Sequence, residues 1–317
     1  MGVTEKTIFE QFGFWQRAIG PVEPLGDAAL TVIVGCGTSY NLALSLAALA
    51  NSHGRAAIAV AGGEWVARPQ QYWPDWRKAQ LIVLSRSGET SETVAAAKAS
   101  RDAGAFVTAI TPEADSTIAR NCDRLLSAPT HPEEGIVMTA SASLMLLLGL
   151  KAIGIAIPAT LPKAARRLLE DVDTRHGSAF ANRSHFVFLG GGSLYGIALE
   201  GALKLMEMSQ VFTQGFHPLE YRHGPISLIG PESAAIMLYT EDQQASEATL
   251  ARELQSKGAS VIGFGGPGDI SFDVPVDPAL MGLACLPALQ ILGERAAQAR
   301  HIDTVVPRHL TKVVMLK

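Results

Sequence analysis

The chain has 317 residues, of which 48% are hydrophobic and 18% are charged, and its formal net charge is −4 at pH 7. The length allows two domains of ordinary size, the composition excludes general disorder, and the charge disfavours a nucleic-acid partner. The N-terminus lacks the apolar core of a signal peptide, and the apolar run 144–158 is interrupted by Lys151 and is too short to span a bilayer. The three cysteines form no CxxC pair, so we expect a cytoplasmic protein without a membrane partner.

Strand and helix patterns alternate through the first half of the chain. A helix is predicted around residues 8–19, closed by Gly20 and Pro21. Apolar, often β-branched runs then predict strands at residues 30–34, 56–60, 81–84 and 106–110, with helices such as 42–50 between them. This alternation predicts a parallel sheet covered by helices.

The turn that follows the first strand, GCGTSY at residues 35–40, resembles a dinucleotide-binding loop only in part. A Rossmann fingerprint needs a third glycine where Tyr40 stands, and an acidic residue about 20 residues further on. Glu64 comes too late for that role, and no Walker lysine is present. A nicotinamide cofactor is therefore not expected.

The strand 81–84 leads into a loop rich in hydroxyl groups, residues 85–90, which we call the hydroxyl loop. It contains Ser85, Ser87, Gly88 and Thr90, and a helix-forming segment follows. The first turn of a helix binds anions through unpartnered N–H groups and its positive dipole end, and a glycine lets the backbone approach the ligand. The same residues also form ordinary turns and N-caps, but their density favours a phosphate site.

The second half of the chain repeats the first. The strand 186–189 and GGGSLY at residues 190–195 reproduce the first strand and GCGTSY 155 positions later, and two further segments repeat nearly in register. This self-similarity predicts two copies of one α/β unit. The copies differ at the phosphate site, because TEDQQA stands where the first copy has SRSGET. Acidic residues repel phosphate, so only the first copy is expected to hold the anion.

A predicted helix in the second copy, residues 194–210, carries charges among apolar residues. Glu200, Lys204 and Glu207 recur at helical spacing and share one stripe. One interpretation is a solvated stripe with a helix-stabilising ion pair. The other is a base and a cation that line a cleft, and spacing alone does not decide between them.

The loop that follows, residues 215–225, is rich in groups that perform acid–base chemistry. His217, Glu220 and His223 lie there between prolines and glycines. These side chains could hold a metal ion, although their spacing matches no firm motif. An acid–base role for His223 fits better, because histidine exchanges protons near neutral pH.

Five motifs in order, GCGTSY, SRSGET, EGALKLME, YRHGP and PRHLTK, resemble the sugar isomerase (SIS) family. The chain is most similar to the isomerase half of glucosamine-6-phosphate synthase and to stand-alone amino-sugar-6-phosphate deaminases and ketose/aldose isomerases. The resemblance implies an α/β fold of two tandem flavodoxin-like SIS domains, each a parallel sheet between helices. It also implies a homodimer with shared active sites and a phosphorylated sugar as substrate.

The resemblance assigns roles to individual residues. Catalytic roles fall on the acid–base Glu207, its neighbour Lys204, the ring-opening His223, and the Schiff-base lysine of the tail, Lys312. Whether His223 acts within its own subunit or in the partner's site stays open. The substrate- and phosphate-binding residues that the family pattern implies are Cys36, Gly37, Thr38, Ser39, Ser85, Arg86, Ser87, Thr90, Thr139 and Glu220.

Departures from the family narrow the expected activity. Arg86 stands where the synthase usually has glutamine, and residues 136–141 are closer to the tagatose-phosphate isomerases. The chain begins Met1-Gly2 without a cysteine nucleophile, so we expect no glutaminase and no synthesis of glucosamine 6-phosphate. The expected function is glucosamine-6-phosphate deaminase and isomerase, with no cofactor or metal, because every step is a proton transfer or a hydrolysis.

Two alternatives stay open at this point. One is a ketose/aldose isomerase or deglycase acting on another phosphosugar, because the motifs fix the phosphate and the proton shuttle but not the sugar. The other is a non-catalytic sugar-phosphate sensor, for which the 26 residues before the first strand leave little room for a DNA-binding element. The expected domain organisation is an N-terminal helical segment at 1–26, SIS domains at 27–160 and 161–300, and a tail at 301–317.

Overall fold

The computed structural model describes residues 1–180 and 183–315. Residues 181 and 182 of the predicted second domain, and 316 and 317 of the predicted tail, lie outside the described residues. The chain divides into two compact units. The first unit contains residues 10–159 and 308–315, and the second contains residues 1–9 and 160–307.

The elements that precede residue 160 contain the first of the two sheets. Between β2 and β3 a short 3-10 helix spans Trp76–Lys78. In chain order these elements are α1 (Val3–Ala18), β1 (Thr31–Gly35), α2 (Thr38–Ser52), β2 (Ala57–Ala61), α3 (Gly62–Ala67), α4 (Pro69–Tyr72), β3 (Gln80–Leu84), α5 (Ser91–Asp102), β4 (Val107–Ile110), α6 (Thr117–Arg120), β5 (Arg124–Leu126) and α7 (Ala140–Ala152).

The elements of the remaining chain contain the second sheet. Short 3-10 helices at Glu220–Arg222, Pro225–Leu228 and Pro278–Leu280 lie between them. In order these elements are α8 (Leu161–Arg175), α9 (Gly177–Phe180), β6 (His185–Gly190), α10 (Leu194–Ser209), β7 (Phe212–Phe216), β8 (Ser233–Leu238), α11 (Gln244–Ser256), β9 (Ser260–Phe264), β10 (Ile270–Phe272) and α12 (Met281–Ala299).

Both sheets have the same topology. Within the described residues each has five parallel strands, ordered β2-β1-β3-β4-β5 in the first and β10-β9-β8-β6-β7 in the second. Read from its other edge, the second order is β7-β6-β8-β9-β10. Each of these strands is the counterpart of the strand at the same place in the first sheet. This is the 2-1-3-4-5 order of flavodoxin-like folds. The predicted fold class, two tandem α/β domains with parallel sheets, is confirmed.

The repeat extends to the backbone of individual glycines. Gly37 and Gly192, at equivalent positions after β1 and β6, have φ of +55° and +54°. A Cβ on Gly35 would lie 2.4 Å from the backbone of Ser39, and one on Gly190 would lie 2.5 Å from the backbone of Leu194. Both turns therefore need glycine, because the following helix begins directly against the strand.

The strands form the cores because their side chains are apolar on both faces. All residues of β1, β3 and β4 are buried, as are those of β8. In the second unit, α10 packs closely against α12 at two glycines. A Cβ on Gly201 would lie 3.0 Å from Leu289, and one on Gly293 would lie 3.2 Å from the Lys204 carbonyl. This close approach buries the face of α10 that carries Lys204.

The apolar run near residue 150 forms a buried helix. Every residue of α7 is buried in the first unit, including Lys151, whose ammonium donates to the carbonyl of Ala18. Burial lowers the pKa of Lys151. Of the helices in residues 1–180 and 183–315, none combines the length and apolar character needed to cross a membrane.

Candidate active site

The switch point of the first sheet lies between β1 and β3, which pair in parallel register. In this topology the strand order reverses there, and ligands bind outside the carboxyl ends of the two strands. The segments that follow these strands are the CGTS turn, residues 36–39, and the hydroxyl loop, residues 85–90. The fold therefore brings together the two segments expected to bind phosphate.

The hydroxyl loop is held in shape by its own side chains. Ser85 Oγ accepts from the N–H of Gly88 at 3.1 Å, and Ser87 Oγ accepts from the N–H of Glu89 at 3.2 Å. Gly88 has φ +64°, and a Cβ there would lie 2.0 Å from Ser116 Oγ, so only glycine fits. Neither serine hydroxyl donates its proton to an acceptor among the described residues. Both can therefore donate to a bound anion.

The helix that follows the loop, α5, begins with Thr90 at its N-cap. Threonine often caps a helix through its hydroxyl, but this side chain makes no capping hydrogen bond. The N–H of Ser91 donates to the carbonyl of Val314 at 3.4 Å, which is long for such a bond. A phosphate at this end of α5 would meet N–H groups, hydroxyls and the positive end of the helix dipole.

The CGTS turn forms the other side of the switch point. Thr38 and Ser39 are buried where α2 begins, and Gly37 provides the left-handed backbone of the turn. Burial, followed by the charge of Glu92, raises the pKa of the Cys36 thiol. The thiol therefore stays protonated at neutral pH and is a weak nucleophile.

Arg86, which belongs to the hydroxyl loop, contacts the main chain of Lys312. The Arg86 side chain is buried, and its guanidinium donates to the carbonyls of Gly135, Ile136 and Lys312 at 3.0, 2.8 and 2.9 Å. The Lys312 ammonium donates to the carbonyl of Glu134 at 3.2 Å. The structure thus brings the predicted tail lysine to the loop through a main-chain contact with Arg86.

Thr139, predicted to bind substrate, is the N-cap residue of α7. The Glu134 carboxylate accepts from the N–H and the hydroxyl of Thr139, at 2.6 and 2.9 Å, and from the N–H of Ser141 at 3.0 Å. A carboxylate at a helix N-terminus satisfies unpartnered N–H groups and complements the dipole. Glu134 thereby orders the segment whose carbonyls bind Arg86 and Lys312.

A cleft of about 510 Å³ lies in the first unit next to this cluster. Its walls come from the turns after β3, β4 and β5 and from Lys312. Its volume lies in the range of small-molecule sites. Its lining combines the cations Arg86 and Lys312 with the carboxylates of Glu89, Glu113 and Asp115.

In the second unit, the charged stripe of α10 is a buried triad. Lys204 contacts Glu207, and its Nζ lies 3.5 Å from Glu200 Oε1. The side chains of Glu200 and Lys204 are 0% and 1% exposed, whereas that of Glu207 is 20% exposed. The stripe is therefore not solvated at Glu200 and Lys204, whose side chains are buried, although the expected ion pair between them is present. Glu207 alone of the three reaches the surface of the described residues and can exchange a proton with a ligand.

The loop after β7 displays its acid–base groups on the surface. His223 and Glu220 are exposed at the ends of one 3-10 turn. His217 is also exposed, and its ring stacks on that of Tyr195 with the centroids 3.8 Å apart. Within residues 1–180 and 183–315, no three His, Cys, Asp or Glu side chains are grouped to hold one metal ion.

The second sheet's switch point, between β6 and β8, is occupied by a carboxylate of the chain. Glu247 is buried and accepts from the N–H and the hydroxyl of Thr240 at 2.8 and 3.2 Å. A Cβ on Gly191, in the turn after β6, would lie 3.6 Å from Glu247 Oε1. Burial raises the pKa of Glu247, although the bonds from Thr240 oppose that shift. The N–H and hydroxyl donors of Thr240 are thus already bound to Glu247 and are not available to a ligand.

Glu134 and Glu247 were not predicted from the sequence as site residues. Glu247 had one signal, because it repeats Glu92 at the spacing of the two copies. Glu134 had none, because its role depends on a cap five residues away and on a lysine near the C-terminus. Both carboxylates act on main-chain N–H groups, which sequence patterns do not show.

The SIS domain profile matches residues 27–152 and 179–267 of the chain. Among curated proteins, the chain is 29% identical over 327 residues to a glutamine–fructose-6-phosphate aminotransferase (isomerizing) of Pyrobaculum aerophilum, with 93% of this chain and 54% of that protein aligned. It is 31% identical to the enzyme of the same name from Mycobacterium tuberculosis, with 90% and 51% aligned. The chain spans about half the length of the curated relatives it matches.

Solved structures match the chain over its full length. A glucosamine-6-phosphate deaminase of Thermotoga maritima is 30% identical, with a TM-score of 0.87 and with 99% of this chain and 100% of that chain covered. A tagatose-6-phosphate ketose/aldose isomerase of Escherichia coli is 21% identical, with a TM-score of 0.83 and with 99% and 96% covered. At that identity the second match shows the fold alone.

Proposed function

Because the chain belongs to the SIS domain family, we propose that it is a glucosamine-6-phosphate deaminase and isomerase. It would convert glucosamine 6-phosphate and water into fructose 6-phosphate and ammonia. The observation that carries this proposal is the 30% identity to the Thermotoga maritima deaminase across the whole of both chains. The hydroxyl loop supports the phosphate part of the substrate, because its serine protons and the α5 N-terminus favour an anion.

The proposed reaction is a series of proton transfers followed by a hydrolysis. His223 assists opening of the sugar ring, which gives the C1 aldehyde. Glu207 then takes the proton from C2 and delivers it to C1, while a second proton passes from the C2 amine to the C1 oxygen, which leaves an imine at C2 and a hydroxyl at C1. Water adds to that carbon, the C–N bond breaks, and ammonia leaves with the ketose phosphate. Lys312 stabilises the open-chain or imine form.

The buried triad on α10 supports the role of Glu207. The Lys204 ammonium contacts the Glu207 carboxylate and holds it in one orientation. Because the Glu207 side chain is partly exposed, a substrate can reach it. Positioning of a base in this way raises its effective concentration at the C–H bond. Glu200 supplies Lys204 with a second carboxylate, so the buried cation is compensated.

The test is to incubate the protein with glucosamine 6-phosphate and to measure ammonia and fructose 6-phosphate in equal amounts. A ketose/aldose isomerase is the second candidate, because the segment IVMTAS at residues 136–141 resembles that of the tagatose-phosphate isomerases. Such an enzyme would interconvert aldose and ketose phosphates without releasing ammonia. Binding of sugar phosphates without any turnover would contradict both and leave a sensor.

We further propose a homodimer in which His223 serves the partner's site, since its side chain is exposed. Mixing the inactive variants Glu207→Gln and His223→Asn then restores activity, because a mixed dimer contains one site with both wild-type residues. Sedimentation of each variant at the dimer mass is the control. Mixing without any recovery would place both residues in the same subunit's site.

A further inference from the structure

Arg86 lies within the hydroxyl loop, and its guanidinium donates hydrogen bonds to main-chain carbonyls. Its side chain is 8% exposed, and its guanidinium donates to residues 135 and 136 through one nitrogen and to Lys312 through the other. A buried guanidinium is costly unless such donors are satisfied. The three acceptors come from two segments that lie 49 or more positions away in the chain.

The shape of the guanidinium suits this contact. Its planar fork directs donors outward in fixed directions, so one side chain can hold two segments at once. Glutamine has one amide nitrogen and lysine has one ammonium, and neither spans two segments in that way. The arginine at this position therefore adds a link between the hydroxyl loop and the tail segment.

The tail segment, residues 308–315, has few other strong contacts. Lys312 Nζ reaches the Glu134 carbonyl at 3.2 Å, and the Val314 carbonyl accepts from Ser91 at 3.4 Å, both longer than the Arg86 bond of 2.9 Å. Val314 and Met315 are 53% and 63% exposed. Segments of this kind fray unless a specific contact holds them.

We propose that Arg86 is a positioning residue, which anchors the Lys312 main chain to the hydroxyl loop. This proposal deepens the proposed function. It rests on that function only for the catalytic role of the Lys312 amine. Because Arg86 belongs to the loop and binds the Lys312 carbonyl, it places the tail lysine beside the proposed phosphate site.

The first test measures amide hydrogen exchange in peptides that cover residues 308–315, without substrate. Arg86→Gln is expected to exchange at least about tenfold faster than the wild type, the effect of losing a charge-assisted hydrogen bond. Arg55→Gln is the matched control, because Arg55 lies in the same unit and also donates to carbonyls, those of Leu25 and Gly26. Its tail exchange should stay within about twofold of the wild type.

The second test separates anchoring from phosphate binding. Inorganic phosphate is titrated against both variants, and we expect similar affinities, within about threefold. Unchanged tail exchange together with phosphate affinity weakened tenfold in Arg86→Gln would overturn the proposal, because Arg86 would then be an anion ligand. If Arg86→Gln does not fold, Arg86→Lys is measured in the same way, since it keeps the charge but loses the fork.

If the protein has deaminase activity, a kinetic measurement completes the test. Arg86→Gln should lower kcat about tenfold with little change in KM, because the contact acts on Lys312 and not on the phosphate. Exchange and phosphate titration need no turnover. A protein without deaminase activity would thus refute the proposed function while the exchange result still decides whether Arg86 anchors the tail segment.

Discussion

The two sheets have the same strand order, yet the turns at their switch points have opposite chemistry. After β3 the chain presents Ser85 and Ser87, whose hydroxyl protons can be donated to an anion. After β8 it presents Thr240, whose N–H and hydroxyl are already bound by Glu247. Topology provides the same position twice, but the side chains decide whether a ligand can enter.

The first helices of the two copies also differ, and here it is the second copy that carries the additional charged groups. Glu200, Lys204 and Glu207 of α10 correspond to Ser45, Leu49 and Ser52 of α2, each 155 positions earlier. Because α2 forms the same helix without these charges, the fold does not require the triad. One copy has the hydroxyl loop, and the other carries a buried charge cluster that the fold alone does not explain.

The largest expected effect is on the triad. Glu207→Gln should fold and bind substrate but lose activity about a hundredfold or more, because an amide cannot shuttle the proton. Ser52→Ala changes the equivalent position of α2 and should leave the rate unchanged. Ammonia release under saturating glucosamine 6-phosphate measures both. A near-normal rate in Glu207→Gln would transfer the role to Glu220.

Gly88→Ala tests whether the backbone of the hydroxyl loop is essential. The new Cβ would lie 2.0 Å from Ser116 Oγ at a backbone φ of +64°. Left-handed strain and overpacking together should cost about 2–3 kcal/mol of stability and should abolish tight phosphate binding. The control Gly104→Ala also has positive φ, but nothing lies within 4 Å of its Cβ. Equal melting temperatures for the two variants would contradict the steric argument.

Ser87→Ala and Thr90→Val remove hydroxyl donors from the same loop. Each should raise KM about five- to tenfold with a smaller change in kcat, because the phosphate is held equally in the ground and transition states. Asp242→Ala, at the position equivalent to Ser87 in the second copy, should leave KM unchanged. Titration with inorganic phosphate gives an independent readout. Wild-type affinity in both loop variants would show that the loop is only structural.

The smallest expected effect concerns Glu247 in the second switch point. Burial raises its pKa above the ordinary value of about 4.3, so the folded protein binds this proton more tightly than the unfolded chain does. The resulting stabilisation is fully present below that ordinary pKa and is lost as pH rises through the folded pKa.

Glu247→Gln cannot ionise, so its stability relative to the wild type should increase as the pH rises from 4 to 7. Urea unfolding at both pH values measures the difference. Glu241→Gln, at an exposed position nearby, is the control and should show no such trend. A pH-independent difference for Glu247→Gln would mean that the carboxylate is not destabilised by burial.

Much of the fold could be predicted because its strands are continuous apolar runs. The predicted strands 81–84 and 186–189 lie within β3 (Gln80–Leu84) and β6 (His185–Gly190). The short edge strand β5 (Arg124–Leu126) was not predicted, because three residues that include an arginine give no periodic signal. Its register depends on pairing with β4, which the local sequence does not encode.

The candidate site was predictable in its residue types but not in its contacts. The hydroxyl loop followed from a strand, a glycine and a helix start within a few residues. Burial of Glu200 and Lys204 did not follow, because it depends on close packing of α12 around Gly293, far along the chain. The partners of Arg86 could not be inferred either, since Lys312 lies 226 positions away.

The division of the chain between the units has a consequence for its synthesis. The first unit includes residues 308–315, and Arg308 follows Ala159 by 149 positions. At ordinary elongation rates a ribosome takes roughly 7–30 s to translate that interval. During this time the emerging first unit holds the hydroxyl loop, but Arg86 has no Lys312 carbonyl to bind. A nascent chain interrupted within that interval would carry the hydroxyl loop without the tail lysine.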